Sequence, residues 1–218
     1  MIYCNSTIVF GGYPMNEEFK NWYSKYISNT LPDFYAIPDF GLYMDQVIML
    51  MDDYLCFDKA DGEHLLTPAM INNYVKMDIM PSPIKKKYQR EHIVYLIMIS
   101  VMKPVISIAE IDMIFKSKIK GDIESFYNIF CSVYSKIYQN YDPYISEMLK
   151  IMGGEQTADG LDLSIIFAII SRLGKLSAKK LINKELDINS NKKEKSPDKK
   201  EKDNKKNTDK KESKNKED

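Results

Sequence analysis

TPAMINNYVKMDIMPSPIKKKYQREHIVYLIMISVMKPVISIAEI, Thr67 to Ile111, is the stretch that decides how this chain is read. Thr67-Pro68 opens a helix: the threonine oxygen can accept from one orphan N–H, and proline in the first turn presets the backbone angle. The helix is predicted from Pro68 to about Met77. Pro81 and Pro83 end it, and push the residue before each toward extended geometry. Lys85, Lys86 and Lys87 then fill a segment of hairpin size, Ile84 to Tyr88. His92 to Met102 is apolar through Ile93, Leu96, Ile97 and Val101, and predicts a helix that stops before Pro104. Ser107-Ile108-Ala109-Glu110 has capping-box spacing and starts another helix, through about Phe115.

Upstream, Asn16-Glu17-Glu18 starts a short amphipathic helix carrying Phe19, Trp22, Tyr23, Tyr26 and Ile27. Pro32 and Pro38 break the chain. A second helix is predicted from Leu42 to Phe57, with Val47, Leu50, Met51, Tyr54 and Leu55 on its apolar face and Asp45, Asp52 and Asp53 off it; Asp61-Gly62 closes the unit with a turn. Downstream, an apolar stripe runs from Ile123 through Tyr127, Val133, Tyr134 and Tyr138 to Tyr141. Asp142-Pro143 restarts a short helix, Gly153-Gly154 ends it, and Leu161 to Ile182 is the last helix. No strand-like alternation of any length occurs. The fold class is all-α, with at most a small β-ribbon at Ile84 to Tyr88.

Asn189 to Asp218 has no apolar side chain except Pro197 and holds twelve Lys against eight acids. It cannot bury enough surface to offset its ordering entropy and is expected to be disordered. From Asp39 to Glu63 there are seven acids and one lysine; from Thr67 to Arg90, five basic residues and one acid. That reversal directs attention to an anionic partner for the second segment. Cys4, Cys56 and Cys131 are odd in number and widely spaced, and His64 and His92 stand apart, so neither a disulfide frame nor a zinc site is indicated. No signal peptide or membrane span is read, and a cytoplasmic protein is expected.

No catalytic constellation emerges. Gly11-Gly12 and Gly153-Gly154 lack the strand–helix context of a nucleotide loop and read as turns. Asp52-Asp53 and Asp58, Asp61 and Glu63 lack the alternation of a calcium loop and read as a solvated acidic face. His92, inside a helix start, reads as a packed or capping histidine. The expectation is a non-enzyme with no metal or cofactor.

The order helix, two-proline turn, basic hairpin, apolar helix, Ser-x-x-Glu-Ile helix resembles the winged-helix head of MerR-type regulators. There a recognition helix of the form Thr-Ile-Arg-Tyr-Tyr leads to Gly-Leu-Leu-Pro, a wing and two further helix starts. Ile71, Tyr74, Ile79, Met80, Pro81, Tyr88, Ser107 and Ile111 fall on matching places. The departures are Asn72 and Asn73 where Arg and Tyr stand in that pattern, Asp78 for glycine, and a wing reduced to Ile84–Tyr88. IPDFGLYMDQV at Ile37 to Val47, with INNY and PIKKKY, also resembles an uncharacterised family of Gram-positive bacteria, a domain of unknown function, over about Ile37 to Phe115.

The resemblance implies an all-α protein with a MerR-like winged helix-turn-helix core, a small or absent β-wing and a C-terminal helical bundle. Its divisions are an N-terminal helical extension (1–36), the winged-helix domain (37–118), a C-terminal helical region (119–188) and the charged tail (189–218). It further implies a DNA-binding transcriptional regulator. Asn72, Asn73 and Lys76 would face the groove of double-stranded DNA, where asparagine can read adenine, and Lys85, Lys86, Lys87 and Arg90 would meet phosphates. The alternative is a non-catalytic protein–protein interaction module, with the same surface meeting an acidic partner such as the Asp39–Glu63 region of another copy. The 123–141 helix has the length for a homodimer contact, while packing against Leu161–Ile170 inside the monomer is favoured. Neither target nor small-molecule effector is legible.

Overall fold

The computed structural model describes residues 17–56, 64–151 and 160–194. Among them eight α-helices follow one another: α1 Glu17–Ser28, α2 Met44–Tyr54, α3 Pro68–Lys76, α4 Arg90–Met102, α5 Ile108–Lys118, α6 Ile123–Gln139, α7 Tyr141–Ile151 and α8 Gly160–Glu194. A 3-10 turn, Phe34–Ala36, sits between α1 and α2. No strand occurs among the described residues; two isolated bridges, Leu42 with Tyr88 and Ile84 with Lys87, are the whole of the expected ribbon. The all-α class read from the sequence holds.

The central element is α4. A helix that is apolar almost all round must be covered all round, and Ile93, Val94, Leu96, Ile97, Met98 and Ile99 are fully buried. Its neighbours are α2, α5 and α6. Each such side chain contributes about 1.5–3 kcal/mol by leaving water, and truncating Leu96 to alanine is expected to cost about 2–5 kcal/mol.

The helix ends are built by the residues the sequence marks. Thr67 Oγ1 accepts from the Met70 N–H at 3.3 Å. Ser107 and Glu110 form the capping box, with Glu110 N–H to Ser107 Oγ at 3.3 Å and Ser107 N–H to Glu110 Oε2 at 2.7 Å. At the end of α3, Ile79 N–H bonds the Tyr74 carbonyl and Asp78 N–H the Val75 carbonyl, both at 3.0 Å. This is a Schellman ending, and Asp78 takes the left-handed position (φ 57°) that glycine usually fills.

Three details differ from the sequence reading. Asp52 is on the covered side of α2 with Ile48, Met51 and Leu55, not on a solvated acidic face. Burial is tolerated because its Oδ1 accepts from the Leu65 N–H at 2.8 Å and its Oδ2 pairs with the His64 ring. The last helix continues past Ile182 to Glu194; Lys and Glu are good helix formers and the first breaker is Pro197. Finally, the stripe that runs along α6 to Tyr141 is covered only in part: at its end Tyr141 stacks on Phe167 of the Leu161–Ile170 stretch (6.3 Å, 18°). Ile129 (62% exposed), Val133 (51%) and Ile137 (58%) form an open flank, while the other edge of the stripe buries Tyr127 against α4 and the 3-10 turn.

Two compact units divide the chain at Lys175–Leu176. The first contains α1 to α7 and the start of α8. The second, among its described residues, is helix throughout, with Leu176 and Leu181 exposed. The glycine pairs Gly11-Gly12 and Gly153-Gly154, the Asp61-Gly62 turn with Asp58 and Glu63, Cys4, and the tail beyond residue 194 lie outside the described residues.

Candidate nucleic-acid interface

On α3 the side chains separate by depth. Ile71 and Tyr74 are buried, while Asn72, Asn73 and Lys76 are exposed. The Asn73 amide donates to the Met77 sulfur at 3.3 Å, a weak bond that a better acceptor can replace. The Tyr74 ring lies under the Lys103 ammonium, 5.9 Å from it.

The lysine segment is a two-residue hairpin turn. Ile84 and Lys87 exchange both backbone hydrogen bonds, at 3.0 and 2.9 Å. Lys85 (φ 51°) and Lys86 (φ 64°) both occupy the left-handed region. That is the type I′ geometry, normally supplied by Asn-Gly, and each lysine there costs roughly 1–2 kcal/mol. All three lysines are exposed, with the Lys87 ammonium 5.2 Å over the Tyr43 ring.

The turn stands on a rigid base. Leu42 and Tyr88 exchange backbone hydrogen bonds at 2.9 and 2.8 Å, tying the hairpin to the entrance of α2. Tyr88 is buried with its ring edge-on to His92. His92 is indeed a capping residue: its Nδ1 accepts from the Gln89 N–H at 2.9 Å, and its Nε2–H donates to the Ser82 carbonyl at 3.1 Å. One imidazole thereby joins the start of α4 to the proline segment before the lysines.

Arg90 is placed differently from the other residues the sequence singles out. Its Nε donates to the Ile37 carbonyl at 2.9 Å, and its guanidinium lies 5.3 Å from the Phe34 ring and 5.4 Å from that of Tyr35. Asp39 is 3.7 Å away, and the side chain is only 15% exposed. The cation is thus committed to the 3-10 turn. Among the described residues, no hydrogen bond or ion pair joins Asn72, Asn73 and Lys76 to the lysine turn.

Beside Arg90 opens a cleft of about 500 Å³, between the 3-10 turn, the hairpin base at Ile84 and the start of α6. Asp39, Glu91, Asp122 and Glu124 line it. A hydrogen bond to Glu124, and that carboxylate's charge, push the Tyr35 hydroxyl above the usual tyrosine range. An acidic, aromatic wall therefore adjoins a basic turn.

Sequence reading did not assign the Asp52 clasp or the Phe34–Tyr35–Asp39 clamp on Arg90. Both join residues far apart in the chain, and no local pattern announces them. Among the described residues, no group of three or more His, Cys, Asp or Glu side chains could hold a metal ion. None of the described helices is long and apolar enough to cross a membrane.

No curated protein and no solved structure matches the chain. Residues 32–141, from the segment that clamps Arg90 to the end of the α6 stripe, match the model of the family described as "Domain of unknown function (DUF1836)". That match reaches further at both ends than the Ile37–Phe115 resemblance, and on it the chain belongs to this family.

Proposed function

We propose that the protein is a DNA-binding regulator of winged-helix type, with α3 as its reading helix and the lysine turn as a short wing. The observation that carries this reading is the turn itself. Two lysines occupy left-handed positions that asparagine and glycine fill at lower cost. A charge kept at the expense of backbone strain is explained by a partner for that charge, and phosphate is the partner such a turn fits. The Schellman ending supports the same reading, since Asp78 takes the left-handed position there in place of the pattern's glycine. Asn72, Asn73 and Lys76 meet the groove in this proposal, and Lys85, Lys86 and Lys87 the phosphates. Arg90 becomes a positioning residue for the hairpin base. The open α6 flank, Ile129, Val133 and Ile137, is the surface for a homodimer.

The test is the salt dependence of duplex binding by the full chain. Affinity is expected to fall steeply with salt, and the slope of log K against log [salt] to drop by about 2–3 in the Lys85/Lys86/Lys87→Ala variant. No detectable duplex binding at low salt would sink the reading.

A second reading rests on the acidic cleft. The lysine turn of one copy and the Asp39–Glu124 cleft of another are complementary in charge, which favours an interaction module that meets itself. Self-association abolished by the same triple substitution, without duplex binding, selects this alternative.

A further inference from the structure

Away from the lysine turn and the acidic cleft, Tyr26 of α1, Tyr138 of α6 and Tyr141 of α7 wall a cavity of about 140 Å³, with Ile137 of the open α6 flank at its side. Each tyrosine is backed by a second aromatic ring. Trp22 lies parallel to Tyr26 (5.2 Å, 7°), Tyr134 to Tyr138 (4.2 Å, 20°) and Phe167 to Tyr141 (6.3 Å, 18°). The Tyr138 hydroxyl donates to that of Tyr26 at 3.1 Å, and the two rings stand 5.5 Å apart at 51°. Two electron-rich rings are thus held inclined to each other, and that of Tyr141, held on Phe167, lines the same cavity. All three tyrosines are half-buried, so the cavity is reachable from solvent.

What can enter follows from what lines it. Among the described residues the wall has no carboxylate, ammonium or guanidinium. An anion finds no positive charge there, and a primary ammonium would lose its hydration without gaining a carboxylate. A methylated ammonium spreads its charge over its carbons, sheds water at lower cost, and is attracted by the negative faces of aromatic rings. The volume matches the roughly 150 Å³ that holds one benzene-sized guest, which is also the scale of a trimethylammonium head. We propose that this tyrosine cavity binds a quaternary or methylated ammonium group of a small ligand. The site shares no residue with the proposed DNA face and stands or falls independently of it.

Trp22 is the single tryptophan of the chain and stacks on a wall residue, so it reports directly. Tetramethylammonium and choline are titrated into the full-length protein at constant ionic strength, followed by Trp22 emission and by calorimetry. The uncharged choline analogue with a tert-butyl group in place of trimethylammonium is titrated in parallel. Saturable binding in the range of about 1–10 mM is expected for the cations, with the uncharged analogue at least about tenfold weaker. Tyr138→Leu and Tyr141→Leu, with helicity checked by circular dichroism, are each expected to weaken binding about tenfold, and Tyr138→Phe by no more than about threefold. Three outcomes overturn the proposal: no saturable signal up to about 100 mM, equal affinity for the uncharged analogue, which makes the cavity merely apolar, or folded leucine variants that bind like the parent.

Discussion

Gly41 and Lys87 approach so closely that a Cβ on Gly41 would stand 2.7 Å from the Lys87 Cβ and 2.9 Å from the Gln89 Nε2. Neither the Lys87 Cβ nor its backbone can retreat cheaply, because Tyr88 is held to Leu42 on both sides. Gly41→Ala is therefore expected to cost about 1–3 kcal/mol in urea unfolding. It should also displace the hairpin, lowering duplex affinity without removing a charge. An alanine variant as stable as the parent would show that the hairpin base yields.

Replacing Lys85-Lys86 by Asn-Gly separates stability from function. The turn keeps its geometry and loses its left-handed strain, so the variant is expected to be about 1–3 kcal/mol more stable. Its salt slope for duplex binding should fall by about 2. Unchanged DNA binding in a stabilised variant would mean that the lysines serve another purpose.

Asp52 holds the chain just before α3 through the Leu65 N–H and His64. Asp52→Ala leaves the partly buried Leu65 N–H without its acceptor and is expected to cost about 1–3 kcal/mol. His64→Ala should cost under about 1 kcal/mol, because the ring is 64% exposed. Denaturant midpoints of the two variants test that order; a larger loss for His64→Ala contradicts it.

The placement of Arg90 predicts a loss of stability more than a loss of phosphate contact. Arg90→Lys keeps the charge but not the Nε bond to the Ile37 carbonyl or the guanidinium's contacts with the Phe34 and Tyr35 rings, and is expected to destabilise by about 1–2 kcal/mol while the salt slope stays within about 0.5 of the parent. A slope reduced by a full unit would return Arg90 to the phosphate set.

Asp122 caps α6, its Oδ1 accepting from the Ser125 N–H at 2.9 Å. Hydrogen bonds from Ser125 hold its carboxyl below the usual carboxylate range. A folded value below the unfolded one means that its stabilisation is complete above the ordinary value of 3.8 and is lost as pH falls through the lower folded value. The melting-temperature gap between the parent and Asp122→Ala is thus expected to stay constant near neutrality and to narrow below about pH 4. A gap independent of pH down to strongly acidic solution would exclude the ionised cap.

Much of the fold is local and was legible. The Thr67-Pro68 start, the Ser107–Glu110 box and the apolar run through α4 each depend on residues within a turn or two of one another, and periodicity reports such spacing directly. The exposure of Asn72, Asn73 and Lys76 followed from Ile71 and Tyr74 for the same reason. The three lysines were visible as charge, but their left-handed turn was not, since no glycine or asparagine marks it.

What the sequence by itself determined is the all-α class, the order of the helices, and the reversal from acidic to basic along the chain, because propensity, capping and charge are properties of neighbouring residues. Only the tertiary structure decided where the long-range polar groups go. It turned Asp52 inward to meet Leu65, clamped Arg90 to Ile37, Phe34 and Tyr35, set Lys87 against Gly41, and gathered Tyr26, Tyr138 and Tyr141 around one cavity. Each of those partnerships joins segments that meet only when the apolar faces around α4 close, and a buried polar group takes its partner from whatever that closure brings within reach.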